Sequence, residues 1–270
     1  MAVTIDGATL YQYYRFSLYN SPFVAHDRGC AIDLYPEGQV APSPVAGEVI
    51  ETREVEAPPK PYAREHDYLI LIETGEYVAR ILHVEPTVEV GEVVERGDPL
   101  GVLVRAGFFA PWVPNHIHLG FRDHEDHLYR ASGSLPIEVD VPLRSVPWDG
   151  TGTVVEAGET WARLDEPAHP DPGAAFVGLD SDGGVLDGGF PHYDWGGLFG
   201  GDRAVVAGTE GGAVNGREVT WHDCTVAANG EEITGIALFL GRDRFGIKLV
   251  GRELDLTAGD AVEVTVECQA

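Results

Sequence analysis

The stretch Val88-Glu89-Val90-Gly91-Glu92-Val93-Val94-Glu95-Arg96-Gly97-Asp98-Pro99-Leu100-Gly101 decides the fold class. Valines interleave with glutamates, and Gly91, Gly97 and Asp98-Pro99 punctuate them at turn spacing, the pattern of a tight-turn β-hairpin. Val40 to Ile50 carries the same text: a β-branched stretch, a glycine turn, then another stretch. Between the two copies lies Ala57-Pro-Pro-Lys-Pro-Tyr-Ala-Arg64, a proline-rich excursion that cannot pair in a sheet because proline lacks the ladder N–H. Short runs of Val, Ile, Tyr and Phe between Gly, Pro and Asp recur along the rest of the chain, with no sustained apolar period of 3.6 residues. The pattern predicts an all-β protein.

At 270 residues the chain is long enough for one large or two medium domains. Pro147-Trp-Asp-Gly-Thr-Gly152 interrupts the strand pattern and predicts a boundary dividing residues 1–148 from residues 149–270. Downstream, Thr153 to Leu164, Ile233 to Leu240, Phe245 to Leu249 and Ala261 to Val266 read as strands of a β-sandwich or jelly-roll. The aromatic, glycine-rich segment Gly189-Phe-Pro-His-Tyr-Asp-Trp-Gly-Gly197 reads as a lid, the lining of a ligand groove or a packing loop.

Forty-four acidic residues against eighteen basic ones give a net charge of −26, and Lys60 and Lys248 are the only lysines. A dense, hydrated acidic surface with so little lysine reads as an adaptation to concentrated salt. Such a surface repels phosphate backbones and anionic lipid, which argues against nucleic acid and membrane surfaces as partners. The sequence shows neither a charged leader followed by an apolar run nor an apolar stretch of transmembrane length, so a cytoplasmic location is expected. Cys30, Cys224 and Cys268 are odd in number and widely spaced; neither a disulfide framework nor a Cys-x-x-Cys metal clamp is expected of them.

Chemistry concentrates in Asn115-His-Ile-His-Leu119. Strand side chains alternate, so His116 and His118 point to one face. With Asp33, which follows His26, and with His83 at the end of an apolar strand pattern, they supply a divalent-metal site of three protein ligands and two extra imidazoles, the inventory of a hydrolytic zinc centre. His124 and His127 lie in a charged turn and read as solvated. His222 and Cys224 have no further ligand nearby in sequence. A biotinyl or lipoyl carrier would need a lysine at the hairpin tip, and Glu92 to Asp98 contains none.

Five elements in order, His26…Asp33-Leu-Tyr-Pro36, Ala41-Pro-Ser-Pro-Val-Ala-Gly-Glu-Val49, Ile81-Leu-His83, the Val90 to Gly101 turn region and His116-Ile-His118, resemble the lysostaphin/LytM-type zinc endopeptidases over about residues 20–140. Combined with the charge, the resemblance suggests a halophilic archaeal member. It implies a duplicated, lipoyl-like barrel domain with zinc bound by His26, Asp33 and His118. A water takes the fourth position, and His83 and His116 form the catalytic pair. The implied activity is endopeptidase cleavage of small-residue peptide bonds; the alternative is an inactive peptidase-like module kept for binding or assembly. Two departures stand out. The family's first pair is spaced His-x-x-x-Asp, whereas Gly29 sits four residues before Asp33 and His26 seven before, on the opposite face of any straight strand. Gly29 offers the bend that would swing His26 inward; the competing readings are Cys30 as the ligand or no first ligand at all. The approach to His116, Ala110-Pro-Trp-Val-Pro-Asn115, is bulkier than the family's and implies a narrower groove.

Overall fold

Strands make up nearly all the regular structure in the computed structural model, which describes residues 2–269. Among these residues the exceptions are the four-residue helix Gly7–Leu10, capped where Asp6 Oδ1 accepts from the Thr9 N–H at 2.9 Å, and the 3₁₀ turn Val24–Gly29. The chain divides into two units. One runs to Phe16 and resumes over Phe23–Val141; the other comprises Ser17–Pro22 and the chain from Pro142 onward. The division at Val141/Pro142 precedes the Pro147–Gly152 interruption by a few residues.

In the first unit five strands lie side by side and antiparallel: Gly47–Glu56, His66–Glu73, Val78–Leu82, Ile117–Arg122 and Ala31–Tyr35. Ile70 lies opposite Ile81, Ile81 opposite Leu119 and Leu119 opposite Ile32, a fully buried aliphatic row on one face. Burial of each such side chain stabilises by about 1.5–3 kcal/mol. The row fixes the register, because a one-residue slip would exchange the two faces. Alternation then places His118, with its cross-strand partners Asp33 and Leu82, on the other face.

The Val88–Gly101 stretch does not pair with itself as the sequence suggests. Two turns, Glu89 to Glu92 and Glu95 to Asp98, with Gly91 and Gly97 each at φ 90°, break it into short pieces. Val93–Val94 pairs with Gly47 and Glu48, while Pro99–Leu103 pairs with both Val40–Pro42 and Val84–Pro86. The two stretches of similar text therefore pair with each other, a non-local contact that local pattern cannot announce.

The second unit is a mostly antiparallel assembly, with Leu143–Val146 running parallel to Phe176–Ser181, around a core including Leu164, Leu186, Phe190, Val219, Ile236 and Leu249. The Gly189–Gly197 segment is a packing hairpin there, since Gly184–Phe190 pairs with Trp195–Phe199 and the Phe190 ring meets Trp221 edge-on at 5.1 Å. A Cβ at Gly196 would lie 2.1 Å from the Trp221 ring, so glycine is required for the close approach. Ser17–Pro22 is bound into this unit by Asp187, whose fully buried carboxylate accepts from Ser17 Oγ at 2.6 Å and from the backbone N–H groups of Leu18 and Tyr19 at 2.6 and 3.1 Å. Contrary to the reading of the cysteines, Cys224 and Cys268 form a disulfide. They face each other across the pairing of Cys224–Ala228 with Ala261–Cys268, a proximity that a separation of 44 residues hides. Cys30 lies outside the disulfide and is half-buried.

Candidate metal centre

Three side chains from three local structures converge on the site face of the first unit. Asp33 and His118 are directly opposed across the antiparallel ladder, both buried. His26 comes from the 3₁₀ turn Val24–Gly29, where Arg28 and Gly29 both adopt left-handed backbone, φ 56° and 64°. The bend expected at Gly29 thus spans two residues, and it carries His26 to the face of Asp33. His26 Nε2, Asp33 Oδ1 and His118 Nδ1 form a triangle with sides of 3.3, 3.1 and 3.1 Å. Each residue offers one ligand atom, and together they form a group able to hold a metal ion. Cys30 is not part of it.

His116 and His83 stand beside this triangle. His116 Nδ1 donates to the Pro114 carbonyl at 2.9 Å, and its Nε2 lies 3.5 Å from Asp33 Oδ1. A carbonyl only accepts, so the proton is on Nδ1 and the lone pair on Nε2. The His83 ring centroid is 5.1 Å from that of His116 and 5.8 Å from that of His118. Its Nδ1 is bonded to Asp67 Oδ2 at 2.6 Å.

Burial works against a charge on His116 and His118. Burial pushes the His116 ring down to about 4, against the pull of Asp33, and His83 adds to the depression. Burial likewise pushes His118 down to about 3, although the hydrogen bond with Asp33 opposes it. At Asp33 burial acts upward, but the surrounding His116, His26 and His118 outweigh it and hold the carboxyl well below its usual range. Asp33 is therefore held as a carboxylate and His118 keeps a lone pair for ligation, the protonation states that metal binding requires of these two groups.

Several contributors were invisible in the sequence. Phe109 stacks on His116 with centroids 4.5 Å apart and meets His83 edge-on at 4.6 Å, while Tyr35 lies 5.2 Å from His116 on another side. Arg105 fixes the bulky approach to His116 by donating to the carbonyls of Val113 and Pro111, each at 2.6 Å. Asp67 had no signal, being one acidic residue at the start of an apolar strand. His124 is exposed and bonded to Glu73, and His127 is exposed, as their charged turn suggests.

Fold and site together define an all-β protein of two domains whose first domain carries a buried His/Asp group suited to a metal ion. The chain belongs to the family described as Domain of unknown function (DUF8155): the N-terminal domain of that description matches residues 4–139 and the C-terminal domain matches residues 144–267. Neither a curated protein nor a solved structure matches the chain.

Proposed function

We propose that the first domain is a zinc-dependent peptide hydrolase of lysostaphin-like fold. The observation that carries the reading is the His26–Asp33–His118 triangle. Tetrahedral zinc with ligands at about 2.05 Å separates its ligand atoms by about 3.3 Å, and the three sides are 3.3, 3.1 and 3.1 Å. Three hydrogen bonds would not explain such a closed triangle, because the shared protons cannot all point along its sides. Two imidazoles and one carboxylate are a hydrolytic rather than a structural donor set, since they leave a coordination position for reactant.

His26, Asp33 and His118 would hold the zinc, which when bound polarises a carbonyl and lowers the pKa of water. The remaining work falls to the chain's own groups. His116, with its proton fixed toward Pro114, presents Nε2 as the base that takes a proton from the attacking water and returns it to the leaving amine. His83 is the second imidazole within reach of the same space. Phe109 covers both rings and excludes bulk water, which strengthens polar interactions beneath it. The aromatic crowding and the Arg105-fixed loop leave a narrow approach, suited to peptides of small residues.

Elemental analysis of protein prepared without chelators should find one zinc per chain, and that zinc-loaded protein should cleave glycine- and alanine-rich peptides in concentrated salt. Absence of stoichiometric transition metal would sink the metal assignment. A loaded protein that leaves a broad peptide library intact would replace the enzyme with a binding module.

A further inference from the structure

Asp67 is fully buried on the strand His66–Glu73, and among the described residues no lysine or arginine pairs with it. Its hydrogen bonds are with its neighbour's backbone, from Tyr68 N at 2.8 Å, and with His83 Nδ1 at 2.6 Å. A buried carboxylate is costly unless a specific partner compensates it, and His83 is that partner.

The backbone of His83 shows the same arrangement from the other side. Leu82 is paired with both His118 and Leu69, so Leu82, His118, Leu69 and, two residues along, Asp67 share one face. Continuing the strand by one residue would turn His83 to the opposite face. Instead His83 has φ 69°, a left-handed conformation uncommon outside glycine. The strand breaks there, and the ring is brought beside His116 and His118. A left-handed non-glycine residue, a buried carboxylate and a short hydrogen bond thus coincide at one imidazole, and such coincidences mark functional sites rather than packing.

We infer that Asp67 is a positioning residue: it holds the His83 ring with the proton on Nδ1, leaving Nε2 as the basic nitrogen beside the metal-ligand group. A carboxylate accepts and never donates when ionised, so it selects this tautomer; a neutral amide in its place does not. The catalytic consequence rests on the hydrolase reading, whereas the tautomer does not depend on it. In the serine-protease triad, where a buried aspartate holds a histidine in the same way, exchanging the aspartate for asparagine leaves the geometry intact and puts the proton on the wrong nitrogen.

The test is a ¹⁵N spectrum of the zinc-loaded, full-length protein with labelled histidine, with the His83 signals assigned by their loss in H83Q. The expected result is protonated Nδ1 and bare Nε2 at His83 in the parent, with Asp67→Asn moving the proton to Nε2. Asp67→Asn should also lower kcat about 10²- to 10⁴-fold with KM and zinc stoichiometry unchanged. A parent His83 protonated on Nε2 overturns the inference, even if Asp67→Asn does not fold. So does an unchanged tautomer or an unchanged kcat in a folded variant. If the loaded parent hydrolyses nothing, the hydrolase reading fails, and the two spectra still decide what Asp67 does.

Discussion

Replacing Asp33 by asparagine removes the hub of the candidate metal centre while keeping its shape. Asp33 Oδ1 forms two of the three sides of the ligand triangle, and only the 3.1 Å side between His26 and His118 survives its loss. A ligand that binds the folded state alone stabilises it by RT ln(1 + [L]/Kd), about 2.7 kcal/mol when present at a hundred times Kd. For a unit of this size that should raise the melting temperature by about 10 °C. Loss of a group that merely hydrogen-bonds a ligand weakens metal binding up to about 100-fold, so loss of the only anionic ligand should do at least that. At the same zinc concentration the variant then gains no more than about 0.4 kcal/mol, or about 1–2 °C. The assay is thermal unfolding of parent and variant, each with and without zinc, following the transition of the first unit. Equal zinc-induced shifts in the two proteins, or none in the parent, would refute the assignment of Asp33 as a ligand.

His116→Ala should keep the metal and lose about 10²- to 10⁴-fold in turnover, whereas His118→Ala should lose both; metal analysis and peptide cleavage on the same preparations separate them, and metal loss from His116→Ala would contradict the division of roles. Asp187→Ala removes the acceptor of the Ser17 hydroxyl and of the Leu18 and Tyr19 backbone N–H groups and should cost about 3–5 kcal/mol, read from urea denaturation; a cost below about 1 kcal/mol would mean that the carboxylate does not clamp Ser17–Pro22. With a net charge of −26, melting temperature should climb steadily as potassium chloride is raised to molar levels, and a flat response would defeat the halophilic reading. The Cys224–Cys268 disulfide suits an oxidising compartment better than the cytoplasm that the sequence suggests: alkylation of denatured protein from its native cells should label one thiol before reduction and three after, and three beforehand would restore the cytoplasmic expectation.

The all-β class and the His-x-His face were legible because alternation is a local property: where Ile117 points into the aliphatic row, His116 and His118 must point away. Asp33 and His83 were found through their place in an ordered series of elements. His26 stood at the wrong spacing for a straight strand, and only the left-handed pair Arg28–Gly29 resolves it. What stayed hidden is whatever depends on partners distant in sequence. Asp67 and His83 meet through a kink, Cys224 and Cys268 through strand pairing, and Ser17–Pro22 joins the second unit through one carboxylate more than 160 residues away. The Val88–Gly101 hairpin failed for the same reason, since the turns were correctly placed but the strands found other neighbours.

The ladder that opposes Asp33 to His118 also sets which changes of chain length this protein can absorb over evolutionary time. Ile117–Arg122 is hydrogen-bonded on both sides, to Ala31–Leu34 and to Val78–Leu82. A single inserted residue ahead of Asp33 or His118 within its own strand would put an aliphatic side chain where the ligand stands and disarm the centre at one stroke. The Ala57–Ala63 excursion and the Asp123–Ser134 connection lie outside the paired segments, and loops lengthen at little thermodynamic cost. Diversification by insertion should therefore collect in those two places, where an engineer could also graft recognition segments without disturbing the ligands.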